Sequence, residues 1–281
     1  MIHIYFSDNN RGPGKVADNL IKGFKLCNIE HSINTNLQNI ASKDFVLCLQ
    51  NISLISSFSG KNLFIGPNIC TLPIDNNFMM SLNYEKTIVP SHWVKAKYLK
   101  WLPENKIIIW PVGIDTDCFK DFSKENKKKD FLIYFKRRST TELDIICNFL
   151  SSKDKTFEIL KYGEYNEENL IEKCKISKCA FIIDGTESQG IAVQEIMSCN
   201  LPLLVWDVDK WIDRGEQYQV PATSIPYWSD ECGEKFILLN ELKKKFDVFL
   251  KSIDNYNPRN YILKELNLEK QALEIINAFK H

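Results

Sequence analysis

Glu187 and Glu195 stand seven residues apart in the run Asp184-Gly185-Thr186-Glu187-Ser188-Gln189-Gly190-Ile191-Ala192-Val193-Gln194-Glu195. A short apolar run, Ala180–Ile183, precedes it, and a helical pattern, Ile191–Cys199, begins inside it. This predicts Glu187 in a loop at a strand end and Glu195 about a turn and a half into the helix. A carboxylate accepts hydrogen bonds without donating, so each glutamate suits paired hydroxyls on a ligand. Gly190 lets the backbone approach closely, and N–H groups at a helix start favour an anion such as phosphate. Ser188, Gln189, Gly190 and Ile191 are therefore candidates for contacting the same ligand. The helix dipole alone also favours acids at a helix start, so two glutamates there do not by themselves make a site.

Lys136-Arg137-Arg138 follows the apolar run Phe131–Phe135. Cations at a strand's carboxyl end suit a leaving group that gains negative charge. The next residues, Ser139-x-x-Glu142, form a capping-box pattern for a helix. Gly12-Pro13-Gly14 comes after the first strand-like run, where Gly12 and Gly14 could admit a phosphate or an acceptor. The expected helix there runs from Lys15. The spacing fits neither a P-loop nor a complete GxGxxG, which weakens an ATP or NAD reading. In Tyr162-Gly163-Glu164-Tyr165-Asn166, an aromatic ring is available for stacking, and Asn166 suits a helix N-cap.

Such residues need strands to carry them. Apolar runs occur at Ile2–Phe6, Phe45–Leu49, Leu63–Ile65, Thr87–Val89, Ile107–Trp110, Phe131–Phe135, Ala180–Ile183 and Leu203–Trp206. Helical patterns lie between them at Val16–Leu26, Trp93–Trp101, Thr141–Leu150, Glu167–Ile176 and Ile191–Cys199. Near-continuous apolar strands alternating with helices predict an α/β protein with buried parallel sheets. A boundary is expected at 111–129, where Pro111-Val112-Gly113 is followed by the charged stretch Lys120–Lys129, between two Rossmann-like halves, 1–112 and 113–255. A final helix is expected over Arg259–His281 within a tail, 256–281, that could pack back on the first half. Ligands of such sheets bind beyond the strands' carboxyl ends, so chemistry is expected in those loops and between the halves.

Composition narrows the classes. The chain has 281 residues, 44 % hydrophobic and 26 % charged, with 36 basic against 36 acidic side chains. Those proportions exclude disorder and collagen-like repeats, and a zero formal charge disfavours coating nucleic acid by charge alone. Nine cysteines without a CxxC pair read as reduced thiols, and no ligand spacing for a metal is present. No signal peptide or transmembrane run is visible, so a cytoplasmic location is expected.

The Glu187–Glu195 segment continues through Met197 to Pro202 and an apolar strand. This arrangement resembles retaining glycosyltransferases of the GT-B fold, especially the large GT4-like family, in a short form. Their signature is a Glu, a Gly-containing loop and a second Glu after seven residues. Gln189 stands where an aromatic is common, and Asn200 where Gly is common. Further segments match in order: Arg11-Gly12-Pro13-Gly14-Lys15-Val16, Val89-Pro90-Ser91-His92-Trp93-Val94 and Trp110-Pro111-Val112-Gly113-Ile114-Asp115-Thr116. The resemblance implies a GT-B fold, with the nucleotide-sugar, such as a UDP- or GDP-sugar, on the C-terminal half and the acceptor on the N-terminal half. It implies metal-independent transfer with retention and no cofactor. Glu195 would bind the ribose and Glu187 the donor sugar. Arg137 matches a family Arg near the diphosphate. The family's second cation falls at Glu142, so Lys136 or Arg138 would replace it. The segment from Tyr162 would lie beside the base, where Tyr162 or Tyr165 could stack.

A family His has no counterpart in Phe64-Ile65-Gly66-Pro67-Asn68-Ile69, where Asn68 offers only hydrogen bonds. Ser91 matches the strand-end Ser. The acceptor stays open among glycan, lipid-linked sugar, protein and modified DNA base. A catalytically silent nucleotide-binding protein, or a nucleotide-sugar epimerase on the same fold, are the alternatives.

Overall fold

The computed structural model describes residues 1–7 and 12–280. The chain divides into two units, Met1–Gly113 with Leu266–His281, and Ile114–Glu265. No helix among the described residues is long and apolar enough to cross a membrane.

The first unit carries strands β1 (Ile2–Tyr5), β2 (His31–Ile33), β3 (Phe45–Cys48), β4 (Leu63–Ile65), β5 (Lys86–Val89) and β6 (Ile107–Ile109). They form one parallel sheet in the order β2-β1-β3-β4-β5-β6. The helices between them include α1 (Gly12–Leu26), α2 (Asn77–Ser81) and α3 (His92–Tyr98). Val16, Ala17, Leu20 and Phe24 recur at helical spacing and bury one stripe of α1. Helix α1 starts earlier than expected. Gly12-Pro13-Gly14 is its first turn, not a loop ahead of a helix at Lys15. Proline fits there because its missing N–H would have no intrahelical partner. Arg11 lies outside the described residues.

The second unit follows a similar plan. It contains β7 (Lys129–Lys136), α4 (Thr140–Ser152), β8 (Phe157–Lys161), α5 (Glu167–Ile176), β9 (Ser177–Asp184), α6 (Ile191–Ser198) and β10 (Leu203–Trp206). After a short antiparallel pair, β11 (Lys210–Trp211) with β12 (Val220–Pro221), come β13 (Gly233–Phe236), α7 (Leu242–Ser252) and α8 (Pro258–Glu265). The main sheet is parallel in the order β13-β10-β9-β7-β8. Phe131, Ile133, Phe181, Ile183 and Leu204 alternate along their strands and pack with Leu143, Ile146, Phe246 and Phe249 of α4 and α7. The expected capping box starts α4: Ser139 Oγ accepts from Glu142 N while Glu142 Oε2 accepts from Ser139 N.

The tail is two helices, not one over Arg259–His281. Helix α8 ends at Glu265, and α9 (Leu268–Lys280) begins anew in the first unit. Asn267 Oδ1 accepts from Lys270 N at 2.7 Å, an N-cap that starts α9. Helix α9 packs on α1, where a Cβ on Gly23 would stand 2.7 Å from the Leu268 carbonyl oxygen. Phe279 then covers Phe45 and Phe64, with ring centroids 5.6 and 4.4 Å away.

Candidate functional site

In the second unit the chain goes from β7 outward to β8, then crosses to β9 and continues to β10 and β13. The strand order therefore reverses between β7 and β9, and a crevice beyond their carboxyl ends is the expected ligand place. Lys136 ends β7, Asp184 ends β9, and the two are register partners. The loops that leave these strands touch. Gly185 N donates to Lys136 O at 3.1 Å, and a Cβ on Gly185 would stand 3.1 Å from Arg137 O.

This approach brings together three of the residues singled out from the sequence. Lys136 Nζ forms an ion pair with Glu187 Oε1. Both side chains are nearly covered, at 9 % and 8 % exposed. Arg137 has a positive φ of 53°, and its exposed guanidinium lies 3.9 Å from the same Glu187 oxygen while donating to Thr186 O at 3.2 Å. Tyr162, in the loop after β8, joins them: Lys136 Nζ sits 4.3 Å from the centre of its half-exposed ring.

Helix α6 starts at Ile191, with Gly190 as N-cap in the left-handed region at φ 80°. Glycine is the residue that takes this conformation without a Cβ penalty. Gln194 Nε2 donates to Gln189 O at 2.9 Å, and Gln189 Nε2 to Gln194 Oε1 at 3.2 Å, which clamps the loop to the helix. Ser188 is exposed and Ile191 half-buried. Glu195 lies one turn into α6 and is only 2 % exposed. Tyr165 lies close enough to feel its charge. Burial raises the Tyr165 phenol above its ordinary value, and Glu195, Tyr162 and Glu187 add to that rise.

Arg138 does not join Lys136 and Arg137 at Glu187. Its guanidinium lies 4.4 Å from the centre of the Trp206 ring and pairs with Glu142 Oε1 at 2.7 Å. Its closest link to the strand-end loop is a long 3.5 Å hydrogen bond to the backbone oxygen of Asp184. The capping glutamate, four residues on, captures this arginine.

One group of supporting residues was not singled out from the sequence. Asp207, directly after β10, accepts from Thr223 Oγ1 at 2.7 Å, Ser224 N at 2.8 Å and Ser224 Oγ at 2.9 Å. Thr223 O in turn accepts from Glu187 N at 3.0 Å. Asp207 thus fixes the segment that fixes Glu187. The available signal was an acid at the end of the apolar run Leu203–Trp206.

The remaining candidates belong to the first unit. Its strand order reverses between β1 and β3. There Gln50 Nε2 donates to Ser7 O, and Asn51 Nδ2 to Ser7 Oγ at 2.8 Å. Gly12 and Gly14 sit in the first turn of α1. Asn68 follows β4 and donates its backbone N–H to Leu49 O at 2.9 Å, while its buried Nδ2 has no hydrogen-bond partner among the described residues. Ser91 precedes α3, is 1 % exposed, and its Oγ also has no hydrogen-bond partner among the described residues. Among the described residues, no three His, Cys, Asp or Glu side chains gather as a metal site.

No sequence-family model matches the chain, and no curated protein matches it. Solved structures do. AviGT4, a glycosyltransferase involved in avilamycin A biosynthesis, superposes with a TM-score of 0.62 at 11 % identity over 99 % of this chain and 96 % of that one. The lipopolysaccharide outer core galactosyltransferase WaaB gives 0.59 at 10 % identity over 99 % of each chain. Sucrose-phosphate synthase from Thermosynechococcus elongatus gives 0.57 at 11 % identity over 99 % and 98 %. At such identities the likeness shows the fold. The chain has the α/β GT-B fold, with one parallel six-stranded and one parallel five-stranded sheet.

Proposed function

We propose that the chain is a retaining, GT4-like glycosyltransferase. It would move a sugar from a nucleotide-sugar, such as a UDP- or GDP-sugar, to a hydroxyl of a glycan, lipid-linked sugar, protein or modified DNA base. The observation that carries this reading is the Lys136–Glu187 ion pair at the strand-order reversal, with Arg137 beside it. A carboxylate for sugar hydroxyls and cations for a diphosphate are what such a donor requires of one place.

Each group then has a task. Lys136 and Arg137 balance the diphosphate as the bond between the sugar carbon and the phosphate oxygen breaks. No metal is needed for that step. Glu187 accepts from the donor sugar's hydroxyls and Glu195 from the ribose, while amides near Gly190 face the phosphates. Tyr162 lies beside the base. The acceptor's oxygen forms the new bond, and its proton passes to the departing phosphate. The acceptor is assigned to the first unit, where Gly12 and Gly14 lie in the first turn of α1, Asn68 follows β4 and Ser91 precedes α3. The fold likenesses support this reading, because the structures matched are named as glycosyltransferases or a sugar-phosphate synthase. The test is incubation with UDP-, GDP- and ADP-sugars, measuring release of nucleoside diphosphate. Release from one donor by the folded chain, abolished in Lys136→Ala, is expected. A folded chain that binds and cleaves none of them contradicts it.

A further inference from the structure

Asp184 closes β9 beside the proposed donor site, yet none of the tasks above uses it. It is 0 % exposed, and among the described residues its carboxyl oxygens have no partner beyond the adjacent Gly185 N–H, which itself donates to Lys136 O at 3.1 Å. Charged or titratable groups face it from every side. Lys136 and Tyr134 come from β7, with Lys136 as its register partner. Arg137 and Arg138 come from the loop after β7, and Arg138 donates to its backbone oxygen at 3.5 Å. Glu187 comes from its own loop, three residues on. Burial raises the Asp184 carboxyl well above the usual carboxylate range, and Glu187 raises it further. Lys136, Arg137 and the Gly185 N–H pull the other way without cancelling these effects. An ionised carboxylate buried in this way costs far more than the neutral acid does. The nearby ammonium of Lys136 is already held by Glu187.

We infer that Asp184 is a positioning residue that works as a neutral acid. By keeping its proton it leaves Lys136 to Glu187 and the donor, and it keeps a second negative charge out of the floor of the site. This rests on the donor-site reading above. Loss of the proton to solvent at alkaline pH sets Asp184 against Glu187 for the same lysine and against the incoming diphosphate. Donor affinity therefore falls at high pH through a residue that does not touch the donor.

The test titrates the full chain with UDP and GDP from pH 6 to pH 9.5, for the wild type, Asp184→Asn and Asp184→Leu. Both variants are permanently neutral and close in shape, and the second serves should the first not fold. At pH 6 a folded variant is expected to bind within about threefold of the wild type. At pH 9.5 the wild type should have lost about tenfold more affinity than the variant, the effect of one added charge at close range. Parallel binding profiles together with parallel Tm profiles would overturn the inference. So would a folded variant weakened more than tenfold at pH 6, since the ionised form would then be the useful one.

Thermal unfolding separates this from failure of the donor-site reading. A carboxyl with a raised folded-state pKa contributes stability that is full below the unfolded value and declines as pH rises toward the raised one. The wild-type Tm should therefore fall relative to Asp184→Asn as pH climbs, and equal slopes would overturn the neutral acid. A wild type that binds neither nucleotide at any pH overturns the donor-site reading and the positioning role, while the Tm comparison still decides the protonation state.

Discussion

Lys136 and Glu187 neutralise each other where neither is open to much water. Removing one partner strands the other charge, which is costlier than the pair is stabilising. Lys136→Ala is accordingly expected to destabilise the chain by about 3 kcal/mol, read from urea unfolding, as well as to weaken donor binding. The two glutamates should separate in function. Glu195→Gln is expected to weaken UDP or GDP binding about 10- to 100-fold, the worth of a hydrogen bond to a charged group. Glu187→Gln should leave binding of the free nucleotide within a few-fold and remove the preference among sugars. Calorimetric titration with nucleotide and nucleotide-sugar measures both; equal effects of the two substitutions would contradict the division of tasks. These residues were legible because their relation is local: the spacing from Glu187 to Glu195 is fixed by one loop and one helix. The link from Asp207 through Thr223 to Glu187 was not, because it depends on how distant segments are folded together.

The same contrast holds for the elements. Strands β3, β7, β9 and β10 were visible as apolar runs because they lie inside sheets. Strands β2, β8 and β13 of the two main sheets were not predicted. They are edge strands, and His31-Ser32-Ile33 and Gly233-Glu234-Lys235-Phe236 carry polar residues accordingly. The start of α1 was misplaced because Gly and Pro suggest a turn, although Pro is also favoured in a helix's first turn. Two changes test the elements around the site. Gly190→Ala forces a Cβ into the left-handed N-cap of α6 and should cost about 1–2 kcal/mol in urea unfolding. Asp130 on β7 ties down both neighbouring strands. It accepts from Thr156 N at 2.9 Å, just before β8, and pairs with Lys178 of β9 at 2.8 Å. Burial pushes its carboxyl up, but these bonds outweigh burial and hold it at about 2. A lowered carboxyl contributes stability above its unfolded value and loses it as pH falls toward the folded one. Asp130→Asn should thus be less stable than the wild type at pH 6, with the gap closing between about pH 4 and pH 2. A gap independent of pH would contradict the ion pair's part in it.

At the scale of the whole molecule, each unit carries its own parallel sheet with one reversal of strand order. The α/β class was legible from alternating strands and helices, and the likeness to GT-B structures spans 99 % of the chain. The zero formal charge of the chain conceals a local arrangement in the second unit, where cations end one strand and carboxylates follow its neighbour. The central claim is that this arrangement holds a nucleotide-sugar. Calorimetric titration of the wild type and Lys136→Ala with UDP-, GDP- and ADP-sugars tests it most directly. Saturable binding of one donor by the wild type, weakened at least about tenfold in the folded variant, is the predicted result. No binding of any donor by the folded wild type, or undiminished binding by Lys136→Ala, would contradict the claim.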